Sequence, residues 1–168
     1  MERTRRRSTG VITVRTYLVV ANQTLPGAEL RQEIRKRIQA GSSSFHVLVP
    51  NTRPRDLVGD FGRGWASPDG AIAVLGGASI SAEEAIAHAQ HQLGQLLGDL
   101  HDLQVEASGE LGDADPLKAV GEVLQRQQVD EIILSTLPKP VSRWLRMDLP
   151  HRLHRRFGLP VTTITAKG

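Results

Sequence analysis

The sequence predicts a single α/β domain: a mostly parallel β-sheet with helices on both faces. Three observations predict it. Strand-like and helix-like stretches alternate five times along the chain, the order that parallel strands joined by crossover helices produce. The strand-like stretches are mostly short continuous runs of Val, Ile and Leu, as in strands covered on both sides. The 168 residues are 39% hydrophobic, yet only six are Phe, Trp or Tyr, so the core must be largely aliphatic. That length is one ordinary domain.

Residues 1–14 form a basic tail (Arg3, Arg5, Arg6, Arg7) expected to be flexible, and residues 15–168 form the domain. The first strand runs over Thr16–Ala21 and ends in the polar turn Asn22-Gln23-Thr24, with Pro26 and Gly27 reinforcing the break. A helix follows over Glu29–Ala40, where Leu30, Ile34 and Ile38 recur on one face and Gly41 stops it. Phe45–Val49 is a second buried strand, closed by Pro50. Residues 51–80 are rich in Gly, Pro, Arg and Asp and predict no clear element; this stretch and the N-terminal tail are the expected first sites of proteolysis.

Ser81 with Glu84 makes a capping box for a helix ending near Leu100, with Ile86, Ala89, Leu93, Leu96, Leu97 and Leu100 as its apolar stripe. A weaker strand is centred on Val105, and Gly109, Gly112, Asp113 and Asp115 suggest a loop. Asp115 then caps a helix that has Pro116 as its first residue. Glu131–Ser135 is a fourth strand. A helix over about Ser142–Phe157 should be kinked or divided by Pro150, and Val161–Thr165 is a last strand.

The composition excludes several functions. There is no cysteine, so disulfides and thiol chemistry are ruled out. No apolar run approaches the ~20 residues that span a bilayer, and a cytoplasmic protein is expected. The net charge is only +3, with arginines clustered in residues 3–7 and 143–156. A solvated tail and helix face account for them, and nucleic acid is not expected as a partner. Two His-x2-His pairs, His88/His91 and His151/His154, lack the further ligands that zinc requires, so no metal is expected there. Asp113, Asp115 and Asp148 are weighed as a divalent-cation cluster, but loop and cap aspartates are commoner. No hydrolase elbow, P-loop or Ser–His–Asp spacing is present, and neither an enzyme nor a cofactor is predicted.

The order of elements resembles the universal stress protein family over Thr16–Thr165. The specific landmarks are Val129-Asp130-Glu131-Ile132-Ile133-Leu134, similar to the family's fourth strand, and Arg152 through Phe157-Gly158-Leu159-Pro160-Val161, similar to its entry into the fifth. The resemblance implies a five-stranded parallel sheet of order 3-2-1-4-5 and a two-fold dimer built on the last strand, including Val161, Thr163 and Ile164. It also implies a glycine signature after the fourth strand in members that bind ATP. Here Ser135 and Pro138 stand at the first two glycines, and Met147-Asp148 falls about where the final Gly-Ser belongs, within one residue. Glycine lets backbone N–H groups approach phosphate. Proline removes a donor, methionine adds bulk and aspartate adds like charge, so ATP is not expected to bind in the family's usual way.

In open parallel sheets, ligands bind where the strand order reverses. That order would bring Asn22, Gln23 and Thr24 near Ser135 and Thr136, with Arg143 reaching in from the following helix. Asn22 stands where ATP-binding members usually have Asp. The segment with Gly109, Gly112 and Asp113 resembles the family's ribose-facing loop. These residues form the candidate crevice for a small polar or anionic ligand. Trp144 is expected in the core.

Overall fold

The computed structural model describes residues 13–22, 28–51, 82–137 and 142–165, leaving aside the side chains of Ala82 and Arg143. The described strands are β1 (Arg15–Ala21), β2 (Ser43–Pro50), β3 (Glu106–Gly112), β4 (Glu131–Thr136) and β5 (Val161–Thr165). They form one sheet in the order β3-β2-β1-β4-β5, and every pairing is parallel. The described helices are α1 (Ala28–Ala40), α2 (Ala82–Asp102), α3 (Pro116–Arg126), α4 (Arg143–Arg146) and α5 (Leu149–Phe157). The predicted fold class and strand order hold.

Successive side chains of a strand point to opposite faces, so one strand feeds two cores. On one face, Leu18 and Val20 of β1 pack with Leu48, Ile132 and Leu134 against Leu117 and Val120 of α3 and Leu149 and Leu153 of α5. On the other, Tyr17 and Val19 pack with Phe45, Val47 and Ile133 against Leu30 and Ile34 of α1 and Leu96 and Leu100 of α2. Each fully buried aliphatic side chain contributes about 1.5–3 kcal/mol relative to exposure. Trp144 is 4% exposed within the first core, as expected.

The structure differs from the expectation in two places. Gly109 and Gly112 lie in β3 and not in a loop. A β-carbon at Gly109 would stand 2.6 Å from the Leu93 side chain and 2.9 Å from the Val47 carbonyl oxygen; one at Gly112 would stand 2.7 Å from both Ala119 and Leu48. These glycines let helices seat on the sheet. Gly112→Ala is therefore expected to destabilise the fold by about 1–3 kcal/mol through overpacking, read as a lower urea midpoint; an unchanged midpoint would contradict that role. Ile86, placed in the buried stripe of α2, is exposed. The last helical stretch is divided in two, as expected, with the break at Met147-Asp148 and Pro150 in the first turn of α5, where its missing N–H does no harm. Asp115 caps α3 as predicted, its side chain accepting the Leu117 N–H at 2.9 Å. No described helix is long and apolar enough to cross a membrane.

Candidate functional site

The buried run of β1 ends at Ala21, which pairs with Ser135 of β4. The next residue, Asn22, donates its backbone N–H to the Ser135 carbonyl at 3.0 Å. This is the point where strand order reverses: β2 and β3 lie to one side of β1, and β4 and β5 to the other. The candidates Asn22, Ser135 and Thr136 are thus brought together at the carboxyl ends of the two central strands. All three are buried.

Their chemistry differs. Asn22 is 4% exposed, yet neither its side-chain oxygen nor its nitrogen has a hydrogen-bond partner among the described residues. Thr136 is committed elsewhere. Its hydroxyl lies 2.7 Å from that of Ser142, which is fully buried. The Ser142 oxygen also accepts the Leu145 N–H at 3.3 Å, as a cap on the short helix α4. That pair ties the end of β4 to the start of α4 and leaves Thr136 less free for a ligand than the sequence implies.

The remaining candidates do not join this group. Gln23, Thr24, Pro138 and the Arg143 side chain lie outside the described residues. Gly112 and Asp113 sit at the same end of the sheet but at the end of β3 and just past it, two strands from β1 and hence roughly 10 Å away. Gly109 is lower in β3, opposite Val47. Asp113 is engaged with Lys118 Nζ at 2.5 Å and with the backbone N–H of Asp115 at 2.9 Å. Those bonds, Lys118 first, hold its carboxyl below the ordinary range, and the same pairing raises Lys118.

The aspartates are likewise distributed. Asp115 caps α3, and Asp148 pairs with His151 Nδ1 at 2.5 Å. Among the described residues no group of three or more His, Asp or Glu is placed to hold a metal ion. His154 instead bonds the Leu159 carbonyl at 2.8 Å.

The altered loop has one informative feature. Asp148 takes a left-handed backbone, φ 55° and ψ 38°, and its side chain makes no cap bond. That conformation favours glycine. The backbone therefore has the form a glycine would give, but the residue there is a carboxylate. Met147 is 47% exposed, so its bulk lies at the surface of this loop.

No protein-family model and no curated protein matches the sequence. Solved structures do match the fold. A universal stress protein from Archaeoglobus fulgidus aligns over 90% of this chain and 93% of its own, with TM-score 0.55 and 12% identity. A universal stress protein family protein from Arabidopsis thaliana, with AMP bound, aligns over 92% and 93%, with TM-score 0.55 and 14% identity. The chain has the universal stress protein fold.

Sequence reasoning missed three features here. The unpartnered state of Asn22 depends on what surrounds it in space. The Thr136–Ser142 tie joins residues with no recognisable motif between them. A polar cluster on β2 and β3 is hidden by the loop-like composition of β3, whose signal is the alternation along Glu106–Gly112 that places Ser108 and Glu110 on one face.

Proposed function

We propose that the chain is a universal stress protein-like module that works by binding at its crevice, and that it does not hold ATP in that family's usual way. The observation that supports this is the buried Asn22 amide with neither atom partnered among the described residues. Leaving a buried polar group unmet costs about 1–3 kcal/mol, so its presence favours a ligand that meets it. Asn offers a donor beside an acceptor. Its complement is a small polar ligand with the same pair side by side, such as the edge of a nucleobase. A ligand of this kind needs no phosphate cradle. A cytoplasmic, stress-related role is part of the same proposal and rests on the likeness of fold.

The test separates base from phosphate. Nucleosides, which lack phosphate, should raise the melting temperature of the wild-type protein and leave that of Asn22→Leu unchanged, because only the native state binds them. No shift with adenosine, guanosine or cytidine would contradict the proposal.

We also propose that two copies pair through β5. This strand is an edge of the sheet, hydrogen-bonded only to β4 among the described strands, and Val161, Thr163 and Ile164 on it are half-buried. The run carries neither charge nor proline to blunt it, and such edges attract a partner. Light scattering at micromolar concentration should give twice the chain mass of 18.4 kDa; the mass of one chain would count against pairing.

A further inference from the structure

Away from the crevice, β2 and β3 bring three side chains into a hydrogen-bonded line. His46 pairs with Ser108 across the two strands, so their side chains share a face of the sheet, and Glu110 follows two residues along β3 on that face. His46 Nδ1 lies 2.8 Å from Ser108 Oγ, and His46 Nε2 lies 2.9 Å from Glu110 Oε1. Glu110 Oε1 also accepts from Arg126 at the end of α3, at 2.7 Å. Ser108 is exposed, while His46 and Glu110 are half-buried.

The roles of the ring nitrogens follow from the carboxylate. Burial alone would push the Glu110 carboxyl up, but hydrogen bonds from Arg126 and His46 outweigh that effect and hold it below its ordinary range. An ionised carboxylate only accepts, so Nε2 carries the proton it receives. In the neutral ring, Nδ1 is then left with a lone pair directed at the Ser108 hydroxyl. A hydroxyl bonded to a base, with the base oriented by a third group, is the arrangement that activates a serine nucleophile.

Among the described strands, β3 is an edge of the sheet. The Gly112 carbonyl turns inward to accept the Asn51 N–H, and backbone groups alternate in direction along a strand. The Gly109 N–H, next after Ser108, therefore points away from β2, on the side of β3 where no described strand pairs.

We propose that Ser108, His46 and Glu110 form a second site that transfers acyl groups from small activated esters. The Ser108 oxygen attacks the ester carbonyl while its proton passes to His46 Nδ1. The carbon–oxygen bond to the leaving alcohol breaks, and that alcohol takes the proton from His46. Water then attacks the acyl-serine, giving its proton to His46, which returns it to Ser108 as the carboxylic acid leaves. Glu110 is a positioning residue that sets the tautomer, and Arg126 orients Glu110.

The probe is p-nitrophenyl acetate, with acetylation of each serine peptide followed by mass spectrometry under brief exposure. Exposed Ser42, in the same chain, is the internal reference. Ser108 should acetylate about 100-fold faster than Ser42, the scale of general-base assistance. His46→Gln should remove most of that advantage, and Glu110→Gln should reduce it while leaving the circular dichroism spectrum unchanged. Equal rates at Ser108 and Ser42 in the wild type would overturn the proposal even if His46→Gln fails to fold. So would a fast Ser108 in a folded His46→Gln protein, because it would then be reactive without its base.

Discussion

Asn22→Leu is expected to raise the stability of the ligand-free protein by about 1–3 kcal/mol, since it replaces an unmet buried amide with an apolar side chain of similar size. For a chain of this length the melting temperature should rise by roughly 2–12 °C. Little opposes the gain. The backbone bond from Asn22 to Ser135 does not involve the side chain, and Asn22 is not among the described residues with positive φ, which are Gln104, Asp148 and two glycines. The flanking Ala21 and the neighbouring Leu134 are already apolar and buried. The same variant should lose nucleoside binding. A gain in stability with a loss of binding is the pattern of a residue kept for function. A thermal melt reads the first half and ligand titration the second. A fall in stability of the free protein would mean that the amide is already satisfied without a ligand, and the observation that supports the proposed function would then fail.

The second large effect concerns ATP. Pro138 has no N–H to offer a phosphate, whatever its surroundings. Asp148 holds the left-handed backbone suited to glycine but carries a carboxylate, already paired with His151. Two or three losses of about 1–3 kcal/mol each are expected to weaken ATP binding by roughly 100-fold or more. Restoring the loop should recover affinity: Ser135→Gly, Pro138→Gly, Met147→Gly and Asp148→Ser combined are expected to tighten Mg·ATP binding by about that factor. The contribution of Met147 is the smallest of the four, because its side chain is exposed.

What the sequence made legible follows from how each element is buried. β1 and β4 are buried on both faces and declared by unbroken apolar runs, and β2 by a run that only His46 interrupts. α3 and α5 announce themselves by chemistry at their ends: Asp115 with Pro116, and Pro150 with Gly158. β3 is an edge among the described strands; its residues, Glu106 to Gly112, are exposed or half-exposed and include two glycines, so it carries no apolar run and reads in part as a loop. Ile86 fits a four-residue period and still faces outward, because periodicity gives a face but not what covers it.

The candidate site was legible to the same extent. A polar residue directly after a buried strand marks a carboxyl end, and the strand order says which ends meet. This placed Asn22 beside Ser135. It could not place the Thr136–Ser142 tie, nor assemble Ser108 with His46, whose separation of 62 residues has no pattern.

Isothermal calorimetry with Mg·ATP tests the central claim most directly, that this fold carries a crevice no longer built to cradle phosphate. The account predicts a dissociation constant no tighter than about 100 μM, or about −5.5 kcal/mol, and no hydrolysis at the crevice. A dissociation constant in the low micromolar range for the unaltered protein would contradict it.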